Sequence, residues 1–184
     1  MKFNETNLRG NYLISFDKKN DERGFFGRIF SKIDFNFLLK EKTISQINHS
    51  LTKKQGTIRG LHFQRPPYAE IRIVFCIKGK VWDVAVDLRR NSPTFLQYYS
   101  IVLSEDMLQA IFIPEGFAHG FQTLTPNCEM LYLHTGNYNS KYESALNALD
   151  PRLKIQWPQR ITKRSKRDKN HPMIDEDYYG IDII

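Results

Sequence analysis

The residues best equipped for chemistry are histidines, arginines and tyrosines set at the ends of short apolar runs. His62 lies in GTIRGLHFQRPPYAEIRIV (56–74), between Arg59 and Gln64 and close to a Pro-Pro turn. An imidazole titrates near neutrality, so His62 suits proton transfer; it also reads as a structural histidine bonded to backbone. His119, in PEGFAHGF (114–121), carries the same two readings, His49 and His134 give weaker signals, and His171 reads as surface. Tyr132, in EMLYLHTG, can donate a proton if it reaches a cavity or sit in the core with its hydroxyl satisfied. Asp83, Asp87 and Asp150 can each orient a histidine or lie on the surface. Arg59, beside Gly60, can make forked contacts to a phosphate.

Metal chemistry needs clustered ligands. His62-Phe63-Gln64 lacks the second histidine of an H-x-H pair, and no third ligand accompanies His62 and His119, so no metal site is expected. There is no phosphate-binding G-x-x-x-x-G-K-[ST] loop, dinucleotide fingerprint or G-x-S-x-G elbow.

Short strands must position these groups. NYLISFD (11–17) and FFGRIFS (25–31) flank a charged turn and read as two strands reaching outward. A short helix is predicted over 34–42 with Asp34 as N-cap, then a strand over 43–50. IRIVFCI (71–77) and VWDVAVDL (81–88) flank Lys78-Gly79-Lys80, a hairpin signal. In the second run Trp82, Val84, Val86 and Leu88 share one face, while Val81, Asp83, Ala85 and Asp87 share the other. Further strand patterns over 98–104, 109–124 and 128–136 predict an all-β antiparallel sandwich or small barrel. The aromatic load, 13 Phe and 9 Tyr, fits pleated surfaces.

At 184 residues the chain suits one domain, with a core over about 10–158 and an irregular basic extension over 159–184. The net charge of +7 is concentrated there: residues 160–171 hold six Lys and Arg against Asp168 alone. That run lacks interleaved aromatics, so it reads as a solvated tail rather than a nucleic-acid surface. The basic balance still suits a small anionic ligand. Cys76 and Cys128 read as buried thiols, and no signal peptide or membrane span is evident, which points to the cytoplasm.

Several motifs in order resemble the dTDP-4-dehydrorhamnose 3,5-epimerase family: DERGFF (21–26), NHS (48–50), TIRGLHFQ (57–64), DVAVDLRRNSPTF (83–95), IPEGFAHGF (113–121), Tyr132, and Asp150-Pro151 ahead of Trp157-Pro158. The resemblance implies a metal-free, cofactor-free, cupin-like jelly-roll barrel, a homodimer with exchanged N-terminal strands, and a nucleoside-diphosphate ketosugar substrate. It implies His62 as catalytic base, Asp150 as the acid orienting it, Tyr132 as general acid on the opposite face and Arg72 as partner of the enolate oxygen. Arg59, His119, Tyr138, Gln46 and Asn48 are implied to contact substrate, with Arg23 and Phe26 arriving from the swapped strands. Arg72 and Glu70 depart from the family's Lys and Gln, and Ala148-Leu149 replace its Trp-Asn before Asp150-Pro151. These departures keep a single-centre epimerase, a 3,4-ketoisomerase and a non-catalytic sugar-nucleotide binder in view beside the double epimerase.

Overall fold

The computed structural model describes residues 1–183 and is nearly all β. In chain order the strands are β1 (Lys2–Glu5), β2 (Tyr12–Ser15), β3 (Lys18–Asp21), β4 (Gly24–Gly27), β5 (Gln46–Thr52), β6 (Ile58–Gln64) and β7 (Arg72–Lys78). They continue as β8 (Lys80–Asp87), β9 (Tyr98–Ser104), β10 (Gln109–Ile113), β11 (Phe117–Thr123), β12 (Cys128–His134) and β13 (Glu143–Ala145). A six-stranded sheet, β1-β2-β10-β7-β12-β5, faces a five-stranded sheet, β13-β6-β11-β8-β9, and every pairing is antiparallel. This two-sheet architecture is the cupin-like jelly roll, left open at one end. No helix among the described residues is long and apolar enough to cross a membrane.

Period-2 alternation decides what enters the space between the sheets. Val74 and Cys76 of β7, Met130 of β12, and Val81 and Ala85 of β8 fill it with Ile111 and Phe121. The opposite face of the six-stranded sheet carries Ile73, Phe75 and Leu133, covered by Phe35 and Leu39 of helix α1 (Lys32–Leu39). That helix is capped by Ser31, whose hydroxyl accepts from the Asp34 amide, so Asp34 lies in the first turn rather than at the cap. The hydroxyl of Ser31 competes for the same orphan amides, and the chain enters the helix three residues earlier than the sequence suggests.

The outer face of the five-stranded sheet is also buried. Val84 and Val86 of β8 and Leu88 just after it pack with Leu146, Leu153, Ile174 and Ile181, so the C-terminal segment forms a third layer. Within the basic run 160–171 only Arg164 and Asp168 are buried, and the remaining Lys and Arg side chains stay exposed. This strap contains one short helix, α2 (Lys166–Lys169), capped by Ser165.

β3 and β4 form a separate hairpin with Phe25 and Phe26 53% and 71% exposed. Arg23 pairs there with Asp21 of its own turn, and Phe26 borders a shallow pocket with Met1, Asp17 and Arg28. Cys76 and Cys128 are free and buried, and burial pushes the Cys76 thiol up to about 12.

Candidate active site

The open end of the sandwich holds a cleft of about 260 Å³ whose walls come from both sheets. Alternation along β12 aims Tyr132 and His134 inward in register with Met130, and Arg72 does so at the start of β7. Asn48 and Ser50 line the cleft from β5, where Asn48 lies opposite Tyr132. The facing sheet supplies His62, Gln64 and Arg59 from β6 and His119 from β11.

Arg59 and His62 are three positions apart, so regular alternation would send them to opposite faces. Both reach the cleft because β6 carries an extra residue: His62 lies opposite His119 and Arg59 opposite Phe121, with the register shifting between them. Gly60 permits this. Its φ is +128°, and a Cβ there would fall 2.6 Å from the Cα of Gly120 on β11.

His62 Nε2 lies 2.8 Å from Asp168 Oδ1. The carboxylate that fixes this imidazole therefore comes from α2 in the C-terminal strap, and Asp150 does not perform that role. Asp150 is 3% exposed, and its oxygens accept from the backbone amides of Arg152 and Ile174, which pins the strap to the loop before it. Burial alone would push the Asp168 carboxyl up, but His62 and the Ser165 cap outweigh it and hold it below its ordinary value. An ionised Asp168 accepts a hydrogen bond from His62 Nε2–H, the tautomer that leaves the lone pair on Nδ1.

Arg164 holds Asp168 in place. Its guanidinium is almost fully buried and donates through Nη2 to the Asp168 carbonyl and to Asn147 Oδ1, both at 2.6 Å. The Asn147 amide group in turn donates to the carbonyl of His171.

Tyr132 approaches from the other sheet. Its hydroxyl pairs with Ser50 Oγ at 3.1 Å, and its ring lies between the imidazoles of His119 and His134. Burial pushes its phenol up to about 12, so it stays protonated at neutral pH. The His119 Nε2 lies 2.9 Å from Asp83 Oδ2, with Asp83 fully buried: this is the inward acid of the β8 alternation, and it orients His119.

Arg72 donates Nε and Nη2 to Glu70 Oε1 and Nη1 to the His62 carbonyl. Three of its five N–H donors are thus engaged, leaving two. Glu70 also meets His134 Nδ1 at 3.2 Å, and His134 Nε2 lies 3.3 Å from Asn48 Nδ2. Burial would raise the Glu70 carboxyl, but His134 and Arg72 together bring it below its ordinary value. Arg59 donates to Thr52 Oγ1 and the Leu51 carbonyl and borders a second, wider cavity shared with His62 and Asp168. At the rim, the Tyr138 hydroxyl donates to Glu143, which also binds Arg167 at 2.5 Å, and the Tyr138 amide donates to Gln46 Oε1.

The fold thus brings together His62, Tyr132, Arg72, Arg59, His119, Asn48 and Tyr138, with Gln46 bonded behind Tyr138. It leaves Asp150, Arg23 and Phe26 outside the cleft. Sequence reasoning passed over Asp168, Glu143 and Ser50. Asp168 left one signal: a lone acid in a basic run, three residues after Ser165 in a helix-starting S-x-x-D pattern. Ser50 closes the NHS motif (48–50), and Glu143 left none.

The model of the dTDP-4-dehydrorhamnose 3,5-epimerase family matches residues 5–176. The dTDP-4-dehydrorhamnose 3,5-epimerase of Salmonella typhimurium is 42% identical over 158 residues, 85% of this chain and 86% of its own. The crystal structure of the Legionella pneumophila dTDP-6-deoxy-D-glucose-3,5-epimerase, in complex with dTDP-4-keto-L-rhamnose, superposes with a TM-score of 0.91 at 32% identity, covering 100% of this chain and 99% of that one. The dTDP-4-dehydrorhamnose 3,5-epimerase of Elizabethkingia anophelis gives a TM-score of 0.90 at 35% identity, covering 97% and 99%. With sequence and fold matched over nearly its whole length, this chain belongs to the dTDP-4-dehydrorhamnose 3,5-epimerase family.

Proposed function

We propose that the protein inverts C3 and C5 of a dTDP-linked 4-keto-6-deoxy-hexose, with His62 as base and Tyr132 as acid. The observation that carries this reading is that the two side chains enter one cleft from opposite sheets, His62 backed by the Asp168 carboxylate and Tyr132 with its phenol kept protonated. A hydrogen on carbon beside a ketone is acidic because its removal gives an enolate. His62 Nδ1 takes that proton, and Asp168 stabilises the imidazolium that results. Tyr132 then protonates the carbanion carbon from the opposite face and inverts it. The two uncommitted N–H groups of Arg72 face the developing oxyanion. The chemistry requires no redox cofactor. Arg59 and His119 hold the diphosphate and sugar, and Gln46, Asn48 and Tyr138 shape the cleft.

The assembly in this reading is a homodimer, in which the β3–β4 hairpin of one copy lends Arg23 and Phe26 to the other. The exposed aromatic rings of that hairpin support it. Two unpaired thiols fit a cytoplasmic setting.

The deciding experiment is proton NMR of the protein with dTDP-4-keto-6-deoxy-glucose in deuterated water. Deuterium at both C3 and C5 with an altered configuration is expected. Label at one carbon alone would make this a single-centre epimerase, and no exchange with dTDP-, GDP- or CDP-linked ketosugars would overturn the catalytic reading.

A further inference from the structure

A third titratable group, His171, meets the His62–Asp168 pair. One nitrogen each of His62 and His171 and one oxygen of Asp168 lie within 4.8 Å of one another. Asp168 Oδ1 is 2.8 Å from His62 Nε2 and 3.6 Å from His171 Nε2. The two imidazoles meet edge to face with centroids 5.9 Å apart. The His171 Nε2 is buried without a hydrogen-bond partner, an arrangement that costs free energy unless something fills the gap.

We propose that His62, Asp168 and His171 form a binding site for a borderline transition-metal ion such as Zn²⁺, and that occupancy switches the base off. Donors about 2.0–2.2 Å from a tetrahedral Zn²⁺ lie roughly 3.3–3.6 Å from each other; the Asp168–His171 separation of 3.6 Å meets that value, and the 2.8 Å His62–Asp168 contact opens slightly to admit the ion. Two imidazoles and one carboxylate leave the fourth position open. A cavity of about 530 Å³, lined by Thr57, Arg59, His62 and Asp168, gives an ion access. Lys53, Lys54, Lys163 and Arg167 also border that cavity, so bare charge attraction does not favour a cation. The donor set selects instead: imidazole nitrogen holds Zn²⁺, Cu²⁺ or Ni²⁺, while Mg²⁺ and Ca²⁺ require oxygen cages.

Inhibition follows from the tautomer. A metal ion needs the Nε2 lone pair of His62, so the ring proton must move to Nδ1. That nitrogen is the one the substrate's proton would reach. The ion lies outside the substrate cleft, and it therefore lowers kcat and leaves KM unchanged. The binding site stands independently of the proposed reaction; the inhibition rests on it.

Isothermal titration of the purified protein with ZnCl₂, beside His171→Asn and the surface control His49→Asn, tests the site. One Zn²⁺ per chain is expected, with affinity more than about tenfold weaker in His171→Asn, because even outer-shell partners commonly matter that much. His49→Asn should bind as the parent does, and MgCl₂ should give no heat. In the deuterium-exchange assay, stoichiometric Zn²⁺ should stop the parent, EDTA should restore it, and His171→Asn should keep its basal rate and resist the ion. Zn²⁺ binding that is absent, or unaffected by His171→Asn, overturns the site. Binding that depends on His171 but leaves exchange intact keeps the site and removes His62 as the base.

Discussion

His62 and Asp168 stand 106 positions apart in the chain, and their side chains meet at 2.8 Å. The contact joins the central wall of the cleft to the last helix of the strap. In the proposed reaction it makes the C-terminal segment part of the proton-transfer apparatus rather than a trailing end.

Asp168→Asn should lower kcat by on the order of 10²–10⁴ with little change in melting temperature, since an amide no longer fixes the tautomer of His62 or stabilises its protonated form. Asp150→Asn should do the reverse. It weakens the bonds to the Arg152 and Ile174 amides and should cost about 1–3 kcal/mol of stability, with kcat falling far less. Thermal melts and steady-state rates of both variants check this.

Arg164→Met should lower kcat more than it raises KM, because it frees the Asp168 backbone without touching the cleft. Arg164→Lys should recover part of the rate. A positioning role predicts that the lost rate tracks the population of Asp168-bonded His62, observable in the ¹⁵N shifts of the imidazole. A purely structural role would lower the melting temperature and leave those shifts alone.

Tyr132→Phe should retain deuterium exchange at the substrate carbon while losing net inversion, because the base remains and the opposite-face donor is gone. Equal loss of both would place Tyr132 in substrate positioning. In the parent protein the phenol should remain protonated well above the ordinary tyrosine value of about 10. The shift has a stability consequence. The neutral phenol is what the fold tolerates, so stability is intact below pH ~10 and declines as pH rises from there toward about 12. Tyrosine ¹³Cζ shifts followed through alkaline titration report this group directly.

Glu70→Ala should cost about 3–5 kcal/mol, since it leaves Arg72 nearly buried without its counter-charge. The pH dependence has a definite sign. The Glu70 carboxyl is held below 4.5, so its contribution is complete above that value and is lost as pH falls through the lower, folded-state one. Urea melts between neutrality and acid should show a steeper decline for the parent than for Glu70→Gln.

The sequence by itself determined the all-β class, the two faces of β8 and the buried thiols; it offered His62, Tyr132, Arg59 and His119 as candidates with structural alternatives, and Arg72 entered through the family resemblance. Strand alternation is a local, period-2 property, so the class and the faces of β8 are readable without their partners. Asp83, one of three acids the residue types left open, was placed by the fold against His119. Three features were decided only by tertiary structure. The extra residue at Gly60 puts Arg59 and His62 on one wall against their spacing. The packing of Ile174 and Ile181 against β8 and Leu88 anchors the chain beyond the basic run and so fixes where that run crosses the sheet. That run carries Asp168 to His62, while Asp150, eighteen positions nearer in the chain, is spent on backbone amides of the strap. Residue type and spacing cannot rank two aspartates, because the choice depends on where a long-range loop closes, and that is set by the apolar surface the strap covers.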